Sequence, residues 1–200
     1  MKRNVLFCMI FVICLLWIPV NADITVPIYE NVPNLPERAA DGTVYMFGEV
    51  PNRLVHFGGV IGTKPSNRVF NYNWGDPSWT ELASMPLNLS LCAGATMPNG
   101  NYVIPGGSMG SSFTGRTISF NPDTNTFTEL PVCPEATAGY CVVPVYDGIL
   151  KIGGSRQADF PIPLNTVWKL HTDGTWEQLS SMNEGRVWAG GALVDNTVYV

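Results

Sequence analysis

The chain has 200 residues, 46% of them apolar and only 14% charged, with 20 glycines and 16 prolines. Its formal charge of −5 argues against a nucleic-acid or anionic-lipid partner, which would call for a basic surface. Frequent Gly and Pro with few charges fit many short strands joined by tight turns.

Residues 1–22 read as a secretory signal peptide. Lys2 and Arg3 supply the positive start, and Val5 to Ile18 is an apolar run of 14 residues, short of the ~20 that span a bilayer. Pro19 breaks the run, and Val20-Asn21-Ala22 offers a cleavage site. The expected product begins at Asp23, is secreted, and has no membrane span. Without Lys2 and Arg3 it carries 9 basic and 16 acidic residues, a formal charge of −7. Cys8 and Cys14 leave with the signal, so Cys92, Cys133 and Cys141 remain. Secretion permits a disulfide, and the odd count leaves one thiol over. Their spacing matches no metal motif; one disulfide or small buried side chains is the expectation, with the pairing open.

Residues 23–38 are rich in proline (Pro27, Pro33, Pro36). Residues 39–86 then form a first unit. It holds an expected inner strand at Thr43-Val44-Tyr45-Met46-Phe47, a second at Leu54-Val55-His56-Phe57 stopping at Gly58-Gly59, a third at Arg68-Val69-Phe70-Asn71-Tyr72, and a fourth at Trp79-Thr80-Glu81-Leu82. Residues 87–134 repeat the order. Pro98-Asn99-Gly100-Asn101 is a hairpin, Tyr102-Val103-Ile104-Pro105 runs to Gly106-Gly107, Thr117-Ile118-Ser119-Phe120 follows, and Phe127-Thr128-Glu129-Leu130 closes. Residues 135–183 do the same through Ile149-Leu150-Lys151-Ile152, Gly153-Gly154, Thr166-Val167-Trp168-Lys169-Leu170 and Trp176-Glu177-Gln178-Leu179. Residues 184–200 open a fourth copy, with Asp195-Asn196 as its hairpin. The double glycines begin at 58, 106 and 153, steps of 48 and 47 residues. A fixed period of this size marks a repeat architecture in which each copy is one supersecondary unit.

These anchors together resemble the Kelch repeat: an inner strand, a strand closing on Gly-Gly, an aromatic third strand, and a fourth strand with Trp79, Phe127 or Trp176. The resemblance covers nearly all of residues 24–200 and implies an all-β, Kelch-type β-propeller. The expected form is incomplete: three four-stranded blades and the first strands of a truncated fourth. The count from Trp79 to Pro86, repeated from Phe127 to Pro134, also runs from Tyr29 to Pro36. Residues 24–36 therefore read as an orphan fourth strand that closes the ring.

No catalytic constellation stands out, and no cofactor or metal site is expected. His56 alternates with Val55 and Phe57 and should face a neighbouring strand or blade; His171 ends a strand and should be solvated. Neither has a second ligand at chelating spacing. Glu81, Glu129 and Glu177 recur in the fourth strands, where a solvent-facing charge blunts edge pairing. Trp79, Phe127 and Trp176 are expected in blade-to-blade packing. Arg38 and Arg186 precede inner strands, while Arg68, Arg116 and Arg156 follow the double glycines. The resemblance puts these two connections on one face, where arginines suit carboxylates of peptides or acidic sugars. Asn88-Leu89-Ser90 is a glycosylation sequon. Two functions follow: a secreted module binding a protein or glycan, monomeric when full-length, or a secreted enzyme similar to sialic acid epimerases or galactose oxidase, with its site completed by further blades. Inner strands rich in apolar and small residues favour the binder.

Overall fold

The computed structural model describes residues 32–47, 52–157 and 161–200. Pro33–Val200 forms one compact unit, to which all the geometry below belongs. The signal segment and most of the expected strand at 24–36 lie outside the described residues.

All described elements are β-strands. In the first repeat, β1 (Ala39–Ala40) precedes β2 (Thr43–Phe47), β3 (Arg53–Phe57), β4 (Val60–Ile61), β5 (Lys64–Pro65), β6 (Val69–Asn73) and β7 (Thr80–Glu81). β2, β3, β6 and β7 form an antiparallel four-stranded sheet in chain order. The second sheet holds β8 (Ala95–Thr96), β9 (Tyr102–Ser108), β10 (Phe113–Asn121) and β11 (Thr126–Leu130). The third holds β12 (Cys141–Val145), β13 (Gly148–Ile152), β14 (Val167–His171) and β15 (Trp176–Leu179). β16 (Ala192–Val194) and β17 (Thr197–Tyr199) pair as a hairpin. Three four-stranded blades and the opening strands of a fourth are thus in place.

The core lies between blades. Phe57 of β3 stacks on Tyr102 of β9, with ring centroids 5.2 Å apart, and meets Phe120 edge-on at 5.1 Å. Phe127 packs on the same cluster. The next interface joins Met97 and Val103 to Ile149, Leu170 and Trp176. The third joins Val143, Ile152 and Val167 to Val198. Alternation along each strand puts one apolar set toward each neighbouring blade, so the second and third blades are buried on two faces by their neighbours.

The double glycines sit where neighbouring backbone comes close. A Cβ on Gly106 would fall 2.3 Å from the Thr114 carbonyl oxygen, and its φ is +108°. In the second blade the strand does not stop there: β9 runs through Gly106-Gly107 to Ser108. The ladder resumes at Gly107–Thr114 beyond a bulge between Thr114 and Thr117. A bulge absorbs the unpaired residues that would otherwise end the pairing.

Candidate functional site

Two kinds of connection meet at one end of the blades: the chain entering each inner strand, and the chain leaving each double glycine. Backbone bridges tie them. Ala39 pairs with Ile61, Ser90 with Ser108, Ala138 with Ser155, and Leu164 with Arg186. Arg38, Arg156 and Arg186 each lie in or beside such a bridge, so all three sit at this end.

A backbone relay crosses the same end from blade to blade. The Leu91 amide donates to the Asp41 carbonyl (2.8 Å), Gly139 to Leu91 (3.0 Å), and Trp188 to Gly139 (2.8 Å). These four residues occupy the same place in successive repeats, and all are left-handed, with φ of 57°, 52°, 63° and 60° in chain order. Glycine accepts that conformation freely; leucine and tryptophan do not. The Trp188 ring packs on Gly139, where a Cβ would lie 2.7 Å from the indole. The relay residues and those after them (41–42, 91–92, 139–140 and 188–189) line a cavity of about 230 Å³ open to solvent. Trp188 remains 56% exposed.

Beneath this mouth the groups are buried. The Tyr140 hydroxyl donates to the Gly106 carbonyl (2.8 Å), and the Thr43 and Tyr102 hydroxyls share a hydrogen bond of 2.8 Å. Burial pushes the Cys92 thiol up to about 12 and Cys141 up to about 11, so both stay protonated. Cys92, Cys133 and Cys141 are all free and buried; the small-side-chain alternative holds, and they form no disulfide.

The predicted arginines divide. Arg68 makes a two-pronged pair with Glu81, both contacts at 2.7 Å, and also reaches Glu37. Those hydrogen bonds hold the Glu81 carboxyl below its ordinary range. Arg116 pairs with Glu129 in the equivalent place. Arg156 reaches the buried Glu135 (2.6 Å), which also accepts from the Thr166 hydroxyl and the Trp168 indole. Among the described residues, Arg38 and Arg186 make no ion pair. The recurring fourth-strand glutamates are exposed as expected, but each has a partner; Glu177 pairs with His171 at 2.9 Å. His171 is therefore half-buried in a pair and not freely solvated. His56 is buried with its Nδ1 unpartnered, and desolvation lowers its pKa.

The fourth-strand aromatics do more than pack. The Trp176 indole donates to the Pro131 carbonyl of the blade before it (2.9 Å), and Trp79 donates to Pro33 (2.7 Å). Pro33 stands four residues after Tyr29 as Pro131 stands four after Phe127, so the N-terminal segment offers the same acceptor as a preceding blade. Glu37 and Glu135 share the next such place. At the opposite end of the blades, Arg53 binds Asn71, the Pro122 carbonyl and Asn125 at 2.5, 2.7 and 2.5 Å. Sequence reasoning missed Arg53, although an arginine opposite the Asn-Pro-Asp-Thr-Asn turn was a usable signal. No group of three or more potential metal ligands occurs among the described residues.

The chain is 23% identical over 175 residues to Kelch-like protein 23 of Pongo abelii, covering 86% of this chain and 29% of that protein. The fold is a Kelch-type β-propeller. The chain is also 29% identical over 141 residues to spermatocyte protein spe-26 of Caenorhabditis elegans, covering 69% of this chain and 23% of that one. The chain thus spans less than a third of the curated relatives it matches. A solved structure titled "Structure of YjhT" superposes with a TM-score of 0.69 over 80% of this chain and 57% of that one, at 18% identity. That likeness shows the propeller fold. No protein-family model matches the chain.

Proposed function

We propose that this Kelch propeller is a secreted protein-binding module whose partner docks at the end where the relay surfaces. The observation that carries this reading is the mouth of about 230 Å³, which takes residues from all four repeats and leaves Trp188 exposed. Exposed aromatics with nearby arginines are the common anchors of protein interfaces. Arg38 and Arg186 flank this mouth in sequence and are free, among the described residues, to meet acidic groups. Arg68, Arg116 and Arg156 belong to the same reading only through their glutamate-held scaffold. The enzyme alternative is less well supported, because the perturbed groups in the lining, Cys92 and Tyr140, are held protonated by burial and so offer no thiolate or phenolate at neutral pH. Secretion rests on the composition of residues 1–22, and glycosylation rests on Asn88, which is exposed while Leu89 and Ser90 of its sequon are buried.

The test is site-specific photo-crosslinking of the chain expressed through a secretory pathway. A crosslinker at Arg186 should give a discrete protein adduct that Arg38→Glu abolishes. The same probe at Tyr146, which is 93% exposed in a hairpin at the other end of its blade, should give none. Equal adducts at both positions would sink the docking face, and a glycan array bound with the adduct absent would favour a sugar ligand. Intact mass starting at Asp23, with a mass loss on deglycosylation, checks the export reading.

A further inference from the structure

Resting on the protein-binding reading, we propose that the mouth receives one basic side chain, lysine or arginine, of the partner polypeptide, held between the Asp41 carboxylate and the Trp188 ring. Three observations lead there. Among the described residues, Asp41 is the only charged one that lines the cavity. The other lining groups are apolar, small or neutral, and Cys92 stays a protonated thiol because it is buried. Asp41 is therefore the one charge that the described lining offers to an entering side chain. Second, about 230 Å³ suits one long side chain and not a folded element.

Third, Trp188 is a bulky residue in the left-handed region, at φ +60°, with more than half its surface exposed. Such a conformation persists only where the surroundings enforce it. Here the relay through Gly139 enforces it, as the same relay does at Asp41 and Leu91. The result is an aromatic face displayed at the mouth at a cost to stability. An aromatic ring and a carboxylate that line one cavity both attract a cation, and the attraction grows as water is excluded. An acidic side chain would meet repulsion from Asp41, and a norleucine would gain only the apolar contact.

The experiment titrates the full chain with three capped tripeptides, acetyl-Gly-X-Gly-amide with X as lysine, norleucine or glutamate. The Trp188 indole resonance, assigned with Trp188→Phe, is the readout. The lysine peptide should shift it saturably and bind about tenfold more tightly than norleucine, and Asp41→Asn should remove most of that preference. Trp188→Gly, which lacks the indole and is followed by calorimetry beside the wild type, should lose lysine-peptide binding. Equal binding of lysine and norleucine, preference for glutamate, or undiminished lysine binding by Trp188→Gly would overturn the proposal. Loss of lysine selectivity with the Arg186 adduct intact would sink this inference alone. Selectivity without any protein adduct would instead sink the protein-binding reading on which it rests.

Discussion

Replacing Lys151 with methionine will leave the propeller as stable as wild type, or slightly more so. Lys151 stands in β13 where β9 has Ile104, two residues before the double glycine, and is 1% exposed. Its ammonium donates to the Glu135 carbonyl (2.8 Å), lies 3.8 Å from the Cys133 sulfur, and sits 4.5 Å from the Tyr140 ring centroid. A hydrogen bond from a charged donor contributes about 1.5–3 kcal/mol, and the ring up to about 2 kcal/mol. Desolvating the ammonium opposes both by several kcal/mol. These terms nearly cancel, so Lys151→Met should change stability by no more than about 1 kcal/mol, or raise it. Lys151→Ala, which leaves a void against Cys133 and Tyr140, should cost about 2–5 kcal/mol. A pH series separates charge from packing. Burial lowers the Lys151 pKa, so the unfolded chain binds this proton more tightly than the folded one. Stability contributed at this site therefore rises with pH, from the lowered pKa up to the ordinary lysine value of about 10.4. The advantage of methionine over lysine should be largest at pH 6 and shrink by pH 10. Urea denaturation of both proteins at pH 6, 8 and 10 measures that difference. A methionine variant weakened by more than about 3 kcal/mol at pH 6, or a gap that does not move with pH, would refute the reasoning.

Gly106→Ala should destabilise by about 3 kcal/mol or more, since its Cβ meets the Thr114 carbonyl at 2.3 Å as well as a forbidden φ. Gly100→Ala, at φ +85° with open space around it, should cost only about 1 kcal/mol; equal losses in thermal melts would contradict the contact argument. Trp176→Phe loses both the bond to Pro131 and part of the indole's packing on the second cluster, and denaturation should show a loss of about 1–3 kcal/mol. Arg53→Ala releases the loop around Pro122 and Asn125, so amide exchange there should speed up while exchange near Trp188 does not. Cys92, buried and pushed up to about 12, should resist iodoacetamide at pH 8 until the chain is unfolded; labelling of the native protein would contradict its burial.

The repeat was legible because each blade needs the same apolar set at the same places. Val55, Val103 and Leu150 fill one strand position, and Trp79, Phe127 and Trp176 another. The four-stranded sheets and the propeller followed from that recurrence. The mouth was not legible, because a left-handed residue has no signature when the chain supplies Asp41, Leu91, Gly139 and Trp188 in turn. Only Gly139 advertises its conformation. The arginines were half legible. Arg68 and Arg116 each precede a glutamate by 13 residues, Glu81 and Glu129, and that spacing brings the third strand back beside the fourth as an ion pair. Arg53 escaped notice because its partners, Asn71 and the loop around Pro122, come together only when two blades pack. Lys151 reads as an ordinary strand lysine, and nothing local says that Glu135 and Tyr140 will close over it.

The relay at the mouth has one more consequence. Its bonds run from main chain to main chain, so they hold the blades in register whatever side chain hangs from each link. The position with the most constrained backbone is therefore the one with the least constrained chemistry: an acid, an aliphatic, a bare hydrogen and an indole stand on it in succession. New recognition surfaces could arise there by single substitutions that leave blade pairing untouched. The same relay can in this way carry unrelated specificities, each limited only by how much left-handed strain the blades will tolerate.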